Sequence, residues 1–186
     1  MPPPSLASLL RERLEAEVML IRQRDALLAD FLNCPVETSA PEEFRLRAGS
    51  DLSPARGLEK ILRSGWSFPE HWGIWSRGSK SVLRLTFDRT AIFPINVEFD
   101  LQGFVRPGRN QSVTISLHGR RVATVEFEAP RSERVQVINV QAGDLSTDFS
   151  AEIVFDIANP TAPAEVEPST DRRKLGVAIR RLRVLG

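Results

Sequence analysis

Hydrophobic positions along the chain change their period once. Over residues 5–33, Leu6, Leu9, Leu10, Leu14, Val18, Ile21, Leu28, Phe31 and Leu32 recur at three and four, with Arg, Glu, Gln and Asp between them. That spacing predicts an amphipathic helix about 40 Å long, with a run of prolines stopping it upstream and Ser5 as its cap. Ala7, Leu14, Ile21 and Leu28 stand seven apart, but Glu17 and Arg24 occupy companion positions, so the coiled-coil seam is only partial. The helix is expected to self-associate or dock on a protein partner, with a strap folded onto its own domain as the alternative. Residues 34–64 mix proline, glycine and acids without period and read as a linker. A short helix follows in that stretch, with Ser53 as cap, Pro54 in first position, Leu58, Ile61 and Leu62 on one side and Gly65 ending it.

From Trp66 onward the period is two. Ile95, Val97, Phe99 and Leu101 alternate with Asn96, Glu98 and Asp100, as a strand with one dry face requires. Further strands are expected in "HWGIWS", "SVLRLTF", "SVTISL", "RVATVEFEA", "RVQVINVQ", "AEIVFDIA" and "LGVAIRRLRVL". His118 and Gly119 between two of them suit a two-residue hairpin turn. About eight short strands with almost no helix imply a mainly β protein, a jelly-roll-like antiparallel β-sandwich over residues 65–186 with the N-terminal helix attached.

Composition narrows the function classes. No apolar run exceeds five residues, so no membrane insertion is expected. The N-terminus lacks the basic and apolar regions of a secretory signal, so synthesis in the cytoplasm is expected. The formal charge is +1, too small for a bulk pull toward nucleic acid. The basic tail from Arg172 to Arg183 alternates with Val177, Ile179, Leu182 and Val184 and reads as a strand with a wet face, without stacking aromatics; no nucleic-acid partner is expected. Cys34 stands alone, so no internal disulfide forms.

Catalytic patterns are absent from the sequence. It holds two histidines, no HExxH, no CxxC and no phosphate-cradling glycine loop. Asp144 and Asp148 in "GDLSTD" are better read as turn formers than as calcium ligands. The expectation is a non-enzyme with no cofactor and no metal. The dense signal is "GWSFPEHWGIWSRGSKSVLRLTF", Gly65 to Phe87, which holds all three tryptophans. Indoles serve equally as core plugs and as platforms for sugar rings. In a strand through 72–75, Trp72 and Ile74 would share one face and Gly73 and Trp75 the other, so at most one set lies in the core. Trp72, Trp75, Glu70 and Arg77 are the candidate carbohydrate-binding residues.

Two blocks carry a resemblance. "GWSFPEHWGIWSRGSKSVLRL" and "NPTAPAEVEPSTDRRKLGVAIRRLRV" resemble the paired signatures of a β-sandwich domain attached to bacterial glycosyltransferases and other polysaccharide-associated proteins. The matching positions are Gly65, Trp66, Ser67, Pro69, Glu70, Trp72, Gly73, Trp75, Ser76 and Gly78 in the first, and Asn159, Pro160, Pro163, Ser169, Asp171, Arg173, Leu175 and Gly176 in the second. "AEVEPS" departs from the family's usual Leu-Gly before the serine. Similar domains occur in head-spike proteins of gene transfer agents, which recognise capsular polysaccharide. The resemblance implies an attachment protein for surface polysaccharide, displayed through residues 5–33, with the surface of a released phage-like particle as the expected place of display. The alternative is an assembly protein that uses the sandwich to bind protein. If the first and last strands are neighbours, Glu70 and Arg173, or Asp171 and the indole N–H groups, would satisfy one another. Trp66, Asp171 and Arg173 are therefore the expected structural latch.

Overall fold

The computed structural model describes residues 44–129 and 132–185. The helix expected over residues 5–33 and Cys34 lie outside these residues. Nine strands form two antiparallel sheets: β1 (Asp51–Leu52), β2 (Ile74–Arg77), β3 (Lys80–Thr86), β4 (Ile95–Gly103), β5 (Gln111–Leu117), β6 (Arg120–Phe127), β7 (Glu133–Val140), β8 (Ser150–Ile157) and β9 (Leu175–Leu185). One sheet runs β1-β9-β4-β7, with β2 also paired to β9, and the other runs β3-β8-β5-β6. Except in the β5–β6 hairpin, each step from β2 to β9 crosses to the other sheet, which is the double Greek key of a jelly roll. Among the described residues, no helix is long and apolar enough to cross a membrane.

The period-two pattern explains the layers. In β4 every second residue from Ile95 to Gly103 is buried, and Phe99 meets Phe155 of β8 edge-on across the interior, ring centroids 5.7 Å apart. Trp66 reaches the same Phe155 at 5.8 Å. The expected hairpin turn is present, with His118 at φ 47° and Gly119 at φ 79°, so both residues hold the positive φ that a two-residue turn matching the sheet twist demands.

In two strands the apolar positions do not keep a strict period of two. In β7, Ile138 and Val140 are buried whereas Val135 and Val137 face outward at 63% and 44% exposure. The apolar phase shifts within the strand because β7 is an edge, where only part of its length is covered. In β9 a bulge between Ile179 and Arg181 opposite Asp100 and Leu101 resets the alternation, keeping Val177, Ile179, Leu182 and Val184 inside. The outward arginines meet acids: Arg181 binds Asp51, Arg183 binds Glu98, and Arg180 binds Glu133.

Residues 44–62, expected as linker and short helix, belong to the sandwich in packing terms. Leu46, Leu52, Leu58 and Ile61 are buried in the main core. The expected helix is a single 3-10 turn, Leu58–Ile61, preceded by Gly57 in the left-handed region rather than capped by Ser53. β1 and β2 share one edge of β9, β2 against 175–179 and β1 against 182–183.

Candidate functional site

Pairing of β2 with β9 brings the two signature blocks together. Ile74 lies opposite Ile179, Trp75 opposite Ala178 and Arg77 opposite Leu175. Ahead of β2 the chain doubles back: Ser67 N–H donates to the Trp75 carbonyl at 2.8 Å, and Arg77 N–H donates to that of Gly65 at 2.6 Å. Residues 68–73 form the tip of this arm, closed by a 2.9 Å bond from Glu70 N–H to the Gly73 carbonyl.

Many signature side chains hold this seam. Gly65 has φ +78°, and a Cβ there would stand 2.1 Å from the Lys80 carbonyl oxygen, so only glycine lets the arm cross so close to β3. The Ser81 hydroxyl donates to the Gly65 carbonyl at 2.6 Å. Ser76 is fully buried and accepts from Val177 N–H at 2.9 Å. Asn159 exchanges bonds with Gln111, its N–H donating to Oε1 at 3.0 Å and its carbonyl accepting from Nε2 at 2.9 Å.

Arg173 is the hub. Its Nε donates to both carboxylate oxygens of Asp171 at 3.0 Å, and Nη2 reaches Oδ2 at 2.7 Å. Nη1 donates to the Ser67 hydroxyl at 2.6 Å and Nη2 to Glu70 Oε1 at 3.3 Å. One planar guanidinium thus ties the β8–β9 loop to the arm, a forked geometry that lysine cannot supply. The bonds from Arg173 hold the Asp171 carboxyl below its usual range, and Asp171 in turn raises Arg173. Of the two expected pairings, Glu70 with Arg173 is present, whereas Asp171 takes the arginine and no indole. Trp72 Nε1 donates instead to Glu70 Oε2 at 3.1 Å, and Trp66 Nε1 to the Val82 carbonyl at 2.8 Å.

The tryptophans separate by burial. Ile74 points into the main core, and Trp75, on the opposite face, joins a small outer cluster with Leu175 and Ala178. Trp72 does not share the side of Ile74. It precedes the strand, where the chain is irregular and period two no longer holds, and folds over Trp75 edge-on at 5.4 Å and 78°. Phe104 closes the far side of Trp75 at 5.9 Å. Trp75 is left 7% exposed, so its face offers no platform for a ligand. Trp72 is half-buried, and Phe68, four residues before it on the same arm, is 86% exposed.

Arg77 is exposed at the end of β2 and lines a groove of about 460 Å³ with Gly78, Arg172, Arg173 and Lys174. Of these, Arg172 and Lys174 were read in sequence only as part of a wet strand face. They stand just before β9, where the chain leaves the sheet and the alternation cannot place them. Phe104 carries no signal of its own in the sequence, since nothing local shows that it covers Trp75.

Asp144 and Asp148 are engaged elsewhere. Asp144 accepts from Arg120 at 2.6 Å, and Asp148 is paired with Arg84. Hydroxyls of Ser146 and Ser150, together with Arg84, hold the Asp148 carboxyl well below the usual carboxylate range. No group of three or more potential metal ligands occurs among the described residues.

No protein-family model matches the chain, and no curated protein matches it. Solved structures similar to it include three carbohydrate-binding modules. The CBM36-1 domain of a multidomain xylanase from the hindgut metagenome of Trinervitermes trinervoides is 13% identical, covers 74% of this chain and 96% of its own, and has a TM-score of 0.44. A CBM36 in complex with calcium and xylotriose is 12% identical, with 73% and 98% covered and a TM-score of 0.40. CBM35 from Paenibacillus barcinonensis is 9% identical, with 74% and 99% covered and a TM-score of 0.42. Likeness of this degree carries no argument about binding, and function must be read from the side chains.

Proposed function

We propose that the chain is a non-catalytic carbohydrate-binding protein whose ligand ledge is formed by Trp72, Glu70 and Arg77. The observation that carries this reading is the state of Trp72. Its ring packs edge-on against Trp75 and its N–H is held by Glu70, yet it is only half-buried. A rigid aromatic surface left open to solvent loses little entropy when a sugar ring stacks on it. Trp75 acts in this reading as the support beneath the ledge, and Trp66, Asp171 and Arg173 fix its position.

Hydrolysis would need a carboxyl that keeps a proton while another attacks or activates water. Glu70 on the ledge and Asp171 behind it are both committed to Arg173, which holds Asp171 ionised. Binding without bond cleavage therefore fits these acids better. The wider role in this proposal is attachment to cell-surface or capsular polysaccharide, with residues 5–33 presenting the sandwich on a larger assembly such as a phage-like particle.

A glycan array followed by calorimetry on the hits tests the proposal. Trp72→Ala is expected to weaken binding at least about tenfold, the loss of one stacking contact, with the melting temperature little changed. Array silence, or hits indifferent to Trp72, would reject it and leave protein assembly through the sandwich as the role to pursue.

A further inference from the structure

Topology gathers the ends of β2, β4, β6 and β8 and the starts of β3, β5, β7 and β9 at one rim, because Arg77 pairs with Leu175, Gly103 with Val177 and Lys80 with Asp156. The 460 Å³ groove opens here, and four of its five lining residues are cationic. Their counter-charges are unevenly shared. Arg173 is satisfied by Asp171 and Glu70, and Lys174 by Glu165. The guanidinium groups of Arg77 and Arg172 have neither a hydrogen-bond nor an ion-pair partner among the described residues, and both side chains belong to exposed residues. On β9 the same chain pairs Arg180, Arg181 and Arg183 with acids, so neutralising partners are supplied on the sheet face and to half of the groove's cations, but not to Arg77 and Arg172.

Gathering like charges around one concavity costs Coulomb energy that an anion offsets. Two unpaired guanidinium forks suit a compact oxyanion, whose oxygens they can grip in pairs. Gly78 completes the shape: a Cβ there would meet nothing within 4 Å, so the space beside Arg77 stands open. Arg173 belongs to both the groove and the latch, which sets the cations next to the arm that carries Trp72.

We propose that this groove selects acidic glycans, with Arg77 and Arg172 gripping an oxyanion borne by the sugar, either a uronate carboxylate or a sulfate or phosphate ester. The proposal rests on the carbohydrate reading of Trp72 and names the substrate class for that site.

The test uses the full chain and the polysaccharides that score on the array, each assayed untreated, after carboxyl reduction and after chemical removal of sulfate or phosphate esters. Binding should collapse after one of these treatments, which identifies the oxyanion. Arg77→Gln and Arg172→Gln should each weaken binding to the untreated glycan about tenfold, with unchanged melting temperatures. Binding that survives both treatments, or that ignores both arginine substitutions while still needing Trp72, overturns this proposal and leaves the carbohydrate reading standing on Trp72 without Arg77. A single-stranded oligonucleotide bound as tightly as the glycan overturns it too, by showing an indiscriminate polyanion surface. No binding to any polysaccharide overturns both.

Discussion

Arg173 shows how much one side chain can organise. It spans Asp171, Ser67 and Glu70, and through Glu70 it fixes the Trp72 indole. Arg173→Ala should cost about 1–2 kcal/mol of stability in urea denaturation, the worth of charge-assisted bonds discounted for a side chain one-third exposed. Glycan binding should weaken with it, because Trp72 loses its anchor. The pH dependence has a definite sign. Asp171 has a lowered pKa in the fold, so the unfolded chain takes up this proton more readily. Stability from the pair is complete above the ordinary carboxylate range and is lost as pH falls through about 4 and below. Melting temperatures taken from about pH 7 down to about pH 2.5 should decline at the acid end. Asp171→Asn should flatten that decline only in part, because Asp51, Asp144 and Asp148 are lowered as well.

At the level of elements, the seam of β2 and β9 depends on glycines chosen for closeness. Gly65 and Gly78 share a positive φ but differ in surroundings: a Cβ at 65 strikes the Lys80 carbonyl, whereas one at 78 meets open space. Gly65→Ala should therefore destabilise by at least about 2 kcal/mol, against about 1 kcal/mol for Gly78→Ala, where only backbone strain acts. Chemical denaturation of the two variants side by side checks the contrast, and equal losses would mean that strain alone governs both. Gly103, whose Cβ would lie 2.4 Å from the Phe127 ring, belongs with Gly65. The strands themselves were largely legible. β9 has the bounds expected from its alternation, and β4 to β8 start within a residue of theirs. β2 starts three residues later than expected, since "HWGIWS" alternates on paper while His71 to Gly73 sit in the tip of the arm.

For the whole molecule, Phe155 is the piece shared by both layers and the arm, in contact with Phe99 and Trp66. Phe155→Ala should cost about 3–5 kcal/mol by thermal or urea unfolding and loosen the whole sandwich. Residues 44–186 form a compact unit, and this fragment is expected to unfold cooperatively with a melting temperature within a few degrees of that of the full chain. Loss of cooperativity on removing residues 1–43 would contradict that division.

What the sequence determined by itself was local and periodic: a two-residue alternation that makes strands, a His118-Gly119 turn that only positive φ can form, and a chain without the motifs of common catalysis. Backbone sterics and apolar patterning act over a few residues and so can be read in order. Which strands become neighbours, and which of three indoles ends up covered, depended on contacts between residues far apart along the chain. Trp75 is buried because Phe104, Leu175 and Ala178 arrive over it, and Arg77 shares a groove with Arg172 only because β2 pairs with β9. Burial and charge balance are properties of assembled surfaces, so only the tertiary structure could decide them.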